Sequence, residues 1–131
     1  MTNNPKILVI DDEPLVRIAI IDALLAEGYG AKGAESGREG INLIPDGGYD
    51  VVITDLRLPE VDGIEILKAT IKHSPKTKVV MITAYGSVNT AVEAMKQGAY
   101  DYLTKPFSMD ELLIIVKRLL DIRIIVISEM R

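Results

Sequence analysis

The sequence predicts an open, doubly wound α/β domain on a five-stranded parallel sheet, and three observations carry that prediction. Ile7-Leu-Val-Ile10, Val51-Val-Ile-Thr54 and Val79-Val-Met-Ile-Thr83 are short, rich in β-branched residues and almost continuously apolar. Strands covered on both faces, as in parallel sheets, read this way, whereas half-exposed strands alternate. Strand-like runs and stretches of helical periodicity then alternate five times, which is the pattern of βα units. Finally, 131 residues suit one compact domain and are too few for two ordinary ones.

The elements follow in order. After the first run, Pro14 sits where a first helical turn accepts proline. The helix it opens carries Leu15, Ile18, Ala19, Leu24 and Leu25 as its apolar residues and stops at Gly28. A weak strand is expected over 30–34, and Ser36-Gly-Arg-Glu39 is a capping box for the second helix. Past the third run, Asp62-Gly63 opens a helix with Ile64, Ile66, Leu67 and Ile71, closed near Ser74-Pro75. Ser87 is the expected cap of a fourth, with Val88, Ala91, Val92, Ala94 and Met95, ending at Gly98.

Tyr100-Asp-Tyr-Leu103 reads as the fifth strand, and Ser108-Met-Asp-Glu111 as a second capping box. The last helix offers Leu112, Val116, Leu119, Leu120, Ile124 and Ile127 at roughly heptad spacing, consistent with a dimerising coiled coil. Its β-branched end, Ile124-Ile-Val-Ile127, equally favours an extended strand. The expected organisation is one domain over 1–120. Residues 121–131 then extend its last helix or link it to an output domain.

Composition narrows the function. A net charge of −4 and the absence of a basic stripe argue against a nucleic-acid-binding domain. Without cysteine, the chain has no disulfide, thiolate nucleophile or cysteine metal site. Its one histidine, His73, excludes a two-histidine metal centre and reads as a surface residue. The apolar run before Asp11 is too short for a signal peptide or a membrane span, so a cytoplasmic location is expected.

In such a sheet, ligands gather beyond the carboxyl ends of the strands, where the strand order reverses. The first run ends in Asp11-Asp12, the third in Asp55, the fourth in Thr83-Ala84, and the fifth in Thr104-Lys105-Pro106. Singly, each has a plain structural reading: a helix cap, a turn aspartate, a strand threonine, a loop lysine. Together, in parallel strands, they emerge on one edge. Neighbouring carboxylates there repel, by about 4 kcal/mol per pair at an effective dielectric near 20. One lysine cannot offset three carboxylates, so a hard divalent cation is implied, and Mg²⁺ suits such an oxygen site. Asp50 and Asp101, which flank strands, read instead as solvated residues, and Asp62 as a cap.

At this point the chain resembles the receiver domains of two-component response regulators. The resemblance rests on Ile7-Leu-Val-Ile-Asp-Asp-Glu-Pro14, Asp55-Leu-Arg-Leu-Pro59 with Asp62-Gly63, Thr83-Ala84, and Gly98-Ala-Tyr-Asp-Tyr-Leu-Thr-Lys-Pro-Phe107. It spans about residues 6–120. It implies a flavodoxin-like (βα)5 fold with strand order 2-1-3-4-5. It also implies a signalling domain, not an enzyme acting on a separate substrate, that accepts a phosphoryl group on Asp55 from a sensor histidine kinase. Asp11 and Asp12 resemble the family's metal-binding pair, with Asp12 the usual direct ligand, completed by Asp55 and the Arg57 backbone carbonyl. Thr83, Ala84 and Lys105 resemble its phosphoryl-binding residues, and Thr83 with Tyr102 its switch pair. Arg57 and Tyr85, two residues past Asp55 and Thr83, fall where the family frames the attacking water and tunes dephosphorylation.

Thr83-Ala-Tyr-Gly-Ser87 and Gly98-Ala-Tyr-Asp-Tyr102 are most similar to receivers of the nitrogen-regulation type. Those precede an AAA+ ATPase and a DNA-binding domain and control transcription. The resemblance further implies a homodimer through the fourth helix, fifth strand and fifth helix, or through the C-terminal helix. Two other classes use similar ingredients. A haloacid-dehalogenase-like phosphatase would need Asp-x-Asp after the first strand, where this chain has adjacent Asp11-Asp12. A flavodoxin-like cofactor carrier would need a Ser/Thr-rich phosphate loop where this chain has Asp-Asp-Glu-Pro.

Overall fold

A computed structural model describes residues 4–84 and 88–129. Strand and helix alternate as β1 (Lys6–Ile10), α1 (Pro14–Ala26), β2 (Gly30–Ala34), α2 (Gly37–Gly47), β3 (Val51–Asp55), α3 (Gly63–His73), β4 (Lys78–Thr83), α4 (Val88–Lys96), β5 (Asp101–Thr104) and α5 (Met109–Glu129). The sheet runs β2-β1-β3-β4-β5 with every pairing parallel, the order and class expected.

The continuous apolar runs conceal a period of two. Ile7 and Val9 of β1, Val51 and Ile53 of β3, and Val80 and Ile82 of β4 point to the layer holding Ile20, Leu24, Leu112 and Val116. Leu8, Ile10, Val52 and Met81 point the other way, to Ile44, Ile66, Leu67 and Ala94. Thus α1 and α5 cover one face, and α2, α3 and α4 the other. Since both faces are dry, both sets must be apolar.

In α1 the buried face differs from the expected one, and in α3 and α4 only part of the expected apolar set is buried. Of the α1 residues expected to form its apolar side, only Leu24 is in the core; Leu15 and Ile18 are 83% and 52% exposed, and Leu25 is exposed as well. The buried line is Ile20 and Leu24, flanked by the half-buried Val16 and Ile21. Because α1 is apolar nearly all round (Pro-Leu-Val-Arg-Ile-Ala-Ile-Ile-Asp-Ala-Leu-Leu-Ala), periodicity could not phase it, and contact with the sheet did. In α3 and α4 the buried apolar side chains are Ile66, Leu67, Ala91 and Ala94, while Ile71, Val92 and Met95 face outward.

The heptad expected in α5 is corrected in its first half. Leu112, Val116 and Leu119 are fully or almost fully buried against the sheet, so they are unavailable to a partner helix. Backbone over 122–129 is helical rather than extended; the side chains of Ile124 and Ile127 lie outside the described residues. Asp50 and Asp101 are not simply solvated, since Asp50 accepts the Lys6 backbone N–H at 2.9 Å and Asp101 that of Tyr102 at 2.8 Å.

Side-chain caps start the helices as their sequences suggest. The hydroxyl of Ser108 accepts the Glu111 N–H at 3.1 Å while the Glu111 carboxylate accepts that of Ser108, also at 3.1 Å. Ser36 caps α2 through the Glu39 N–H, and Asp62 caps α3 through that of Glu65. Ser87 lies outside the described residues. Gly63 sets where α3 can start: a β-carbon there would lie 2.7 Å from the Asp55 carbonyl oxygen. Only glycine lets the helix approach β3 so closely.

Candidate functional site

Strand register brings the chain's polar residues to one edge. Asp55 ends β3 opposite Ile82, and Thr83 ends β4 opposite Thr104. Asp11 immediately follows β1, and its N–H donates to the Ala34 carbonyl at 3.1 Å, so the β2 end holds it in line with the strand. Lys105 follows β5 and donates its N–H to the Thr83 carbonyl at 2.8 Å. The turns after the strands are therefore fixed by backbone bonds before any side chain acts.

Three carboxylates converge. One oxygen from each of Asp11, Asp12 and Asp55 lies within 4.8 Å of the other two. Asp11 and Asp55 are buried and Asp12 is exposed, so the cluster opens to solvent on one side. The Lys105 ammonium bonds the Asp55 Oδ2 at 2.8 Å and Glu13 Oε1 at 3.1 Å, and lies 3.8 Å from the Asp11 Oδ2. The second Asp55 oxygen accepts the Arg57 N–H at 3.0 Å. On Asp11, Oδ1 accepts the Glu13 N–H at 2.8 Å, while Oδ2 is buried with no hydrogen-bond partner.

The electrostatics follow from that geometry. Burial pushes the Asp11 carboxyl above its ordinary value, the charges of Asp55 and Glu13 push the same way, and the Glu13 N–H and Lys105 oppose them. Burial pulls the Lys105 ammonium down, but hydrogen bonds to Asp55 and Glu13 outweigh it and hold the group above its usual range. Three carboxylates (11, 13 and 55) thus pair with one ammonium, and Asp12 adds a fourth negative charge beside them. An orphaned, buried carboxylate oxygen is costly unless something positive meets it. An oxygen-lined cluster with one such oxygen fits a small hard cation, and Asp11, Asp12 and Asp55 are the residues that could hold it.

The expected site residues divide into two groups. Asp11, Asp12, Asp55 and Lys105 are drawn into one cluster. Thr83 is buried at the adjacent strand end, where, among the described residues, no hydrogen bond joins its hydroxyl to Asp55. Ala84 is exposed just beyond it, and Arg57 is exposed beside Asp55. Tyr102 pairs in register with Met81 and is half-buried against the α2–α3–α4 layer. Tyr85 lies outside the described residues.

Two participants went unread in the sequence. Glu13 shares the lysine, although it stands 92 residues away in sequence and looks like a helix-start acid. Arg17 donates from Nη1 to the Asp11 carbonyl at 2.7 Å. The Asp-Asp-Glu run was the available signal for Glu13. Nothing in the periodicity of α1 marked Arg17.

Comparison with known proteins points the same way. Residues 7–117 match a family model described as the response regulator receiver domain. Regulatory protein AtoC of Escherichia coli (strain K12) is 44% identical over 123 residues, covering 94% of this chain and 27% of that protein. Transcriptional regulatory protein ZraR of the same strain is 43% identical over 111 residues, covering 84% and 25%. In crystal structures of NtrX from Brucella abortus, the match has a TM-score of 0.89 at 32% identity and covers 98% of this chain and 30% of that one. The chain spans about a quarter of the length of those curated relatives.

Proposed function

Because the chain belongs to the response regulator receiver domain family, we propose that it is a phosphorylation-driven switch, with Asp55 as acceptor and a histidine kinase as donor. The observation that carries this reading is the Lys105–Asp55 contact at 2.8 Å beside a buried Asp11 oxygen that accepts no hydrogen bond. Such a site is short of positive charge in the way a phosphoryl-transfer site is before its cation and substrate arrive.

In the proposed reaction, an Asp55 carboxylate oxygen forms a bond to phosphorus as the P–N bond to the kinase histidine breaks. The imidazole leaves with the electron pair, and an acyl phosphate remains. Asp11, Asp12, Asp55 and the Arg57 carbonyl would hold Mg²⁺, which when bound supplies charge neutralisation for the phosphoryl oxygens. Lys105 follows the group from the carboxylate to the phosphoryl oxygens, and a hydroxyl donated by Thr83 and the N–H of Ala84 complete its binding. The pull on Thr83 biases the Tyr102 rotamer and so the surface of α4, β5 and α5, a population shift driven by a local charge change. Arg57 and Tyr85 flank the route of attacking water and set the lifetime of the acyl phosphate.

In this proposal the receiver occupies 1–120, and 121–131 extend its last helix or link it to an output domain. A covalently linked AAA+ ATPase and DNA-binding domain, a homodimer through α4–β5–α5 or the end of α5, and a cytoplasmic setting complete the proposal. Among the described residues, no helix is long and apolar enough to cross a membrane.

The test is incubation with Mg²⁺ and acetyl phosphate, read by intact mass. One phosphoryl group per chain is expected, with none on Asp55→Asn. Equal labelling of that variant, or multiple turnover of a generic phosphate ester, would overturn the assignment.

A further inference from the structure

Asp11 has four polar atoms, and three are committed to the chain around it. Its N–H donates to the Ala34 carbonyl at 3.1 Å, its carbonyl accepts Arg17 Nη1 at 2.7 Å, and its Oδ1 accepts the Glu13 N–H at 2.8 Å. Only Oδ2 accepts no hydrogen bond; it lies 3.8 Å from the Lys105 ammonium, beside the acidic cluster. Of the three restraints, two come from backbone groups, the Ala34 carbonyl and the Glu13 N–H, while the third comes from a long, flexible side chain. That chain could have extended into water, where arginine is usually at ease. Instead it doubles back from α1 to the β1–α1 turn.

What allows this is a gap in β2. Gly33 lies beside β1, paired with Val9, and a β-carbon there would come within 2.9 Å of Ile21 Cδ1 and 3.1 Å of Arg17 Cδ. The Arg17 stem therefore passes over the spot where any other residue would put a side chain. Two residues sixteen positions apart make one device: the glycine leaves the channel, and the guanidinium runs through it.

We infer that Arg17, seated over Gly33, is a positioning residue that fixes the Asp11 turn so that its unpartnered oxygen faces the cation site. The guanidinium makes a charge-assisted bond to a carbonyl, which is stronger and more directional than a neutral one. It acts on the ligand's backbone, as outer-shell groups do on metal-binding side chains, without touching the cation. This rests on the reading of Asp11, Asp12 and Asp55 as the Mg²⁺ ligands.

The experiment compares wild type with Arg17→Met, Arg17→Lys, Gly33→Ala and the Arg17→Met/Gly33→Ala double variant. Methionine keeps an apolar stem over Gly33 and removes the donor. Mg²⁺ binding by calorimetry is expected to weaken about tenfold in Arg17→Met, and to stay within about twofold in Arg17→Lys, in line with outer-shell effects elsewhere. Gly33→Ala should weaken binding similarly, with little added in the double variant, since both act through one contact. At saturating Mg²⁺ the labelling rate with acetyl phosphate should return to the wild-type value. In metal-free protein, the Glu13 amide resonance should move in Arg17→Met, while the amides of Lys6 and Asp50 stay put.

Wild-type Mg²⁺ affinity in Arg17→Met, or losses that add in full in the double variant, would sink this inference alone. A labelling rate still depressed at saturating Mg²⁺ would also sink it. A wild-type chain that takes up no Mg²⁺ sinks the cation reading and this inference with it.

Discussion

The two edges of the sheet are built on opposite principles. At the amino edge, charges and polar groups close on one another. Lys6 donates its N–H to the Asp50 carboxylate and its ammonium to the Gly47 carbonyl, with the same ammonium 5.2 Å from the Tyr49 ring centre. Asp50 and Lys78 donate their N–H groups to the Lys6 and Asp50 carbonyls, lacing β1, β3 and β4 together. Thr77 donates to the Tyr49 carbonyl at 2.7 Å and lies 2.6 Å from the Ser74 hydroxyl. At the carboxyl edge, three carboxylates share one ammonium with Asp12 beside them, and a buried Asp11 oxygen accepts no hydrogen bond. One edge is arranged for stability and the other for reaction, so substitutions should separate the two properties.

The largest effect is expected at Lys105, the only ammonium in the cluster among the described residues. Lys105→Met should slow labelling by acetyl phosphate roughly a hundredfold, the scale found when one preorganised charge-stabilising donor is removed. Labelling kinetics measured at saturating Mg²⁺ check it. A rate within a few-fold of wild type would mean that the lysine serves only to quiet the carboxylates.

Next comes Asp11→Asn, where reactivity and stability should move apart. An asparagine oxygen can still accept the Glu13 N–H, but Oδ2 and its charge are gone. Mg²⁺ affinity should fall, while the metal-free domain should gain stability, because burial holds the Asp11 carboxyl above its ordinary value and the charged form is the disfavoured one. The sign can be worked out. A carboxyl whose folded pKa is raised binds its proton more tightly when folded, so the wild type loses stability as pH climbs from its unfolded value through the raised one. The gain of Asp11→Asn should therefore be full at neutral pH and shrink in acid. Thermal melts with a chelator present, from pH 3.5 to 7.5, would reveal a gain of the wrong sign or slope.

The same contrast explains what was legible in the sequence. Asp11, Asp12, Asp55 and Lys105 could be found because each is the first polar residue after a buried run, and parallel strands deliver such residues to one edge. The strands themselves followed from the same runs, with β5 displaced by one residue to Asp101–Thr104, while their order in the sheet came from the family resemblance. Glu13 and Arg17 could not be found because their roles depend on side-chain paths: one reaches a lysine from another turn, and the other passes over a missing β-carbon. The buried face of α1, and what the legible apolar line of α5 packs against, were hidden for a related reason. A helix apolar on several sides is phased by what it meets, and its sequence does not say what that is.

At the amino edge, Thr77→Val should cost roughly 1–2 kcal/mol, because it leaves the Tyr49 carbonyl without its donor at a buried position. Denaturant unfolding would show the loss, and labelling kinetics should be unchanged. A slowed reaction would mean that the edges are coupled through β4.

The smallest effect sharpens the comparison from the reactive side. Glu60, in the loop between β3 and α3, adopts φ 65°, the left-handed region, which costs a side-chain-bearing residue about 1 kcal/mol. Its carboxylate meets Arg38 at 3.4 Å, but both side chains are at least 70% exposed, so that pair contributes little. Glu60→Gly relieves the backbone and gives part of that gain back as added freedom of the unfolded chain, leaving a few tenths of a kcal/mol of net stabilisation. If melts instead show Glu60→Gly less stable than wild type, the exposed ion pair outweighs the backbone strain. The loop beside Asp55 would then owe its shape to charge, as the cluster does, and the division between a stable and a reactive edge would extend one turn beyond the strands.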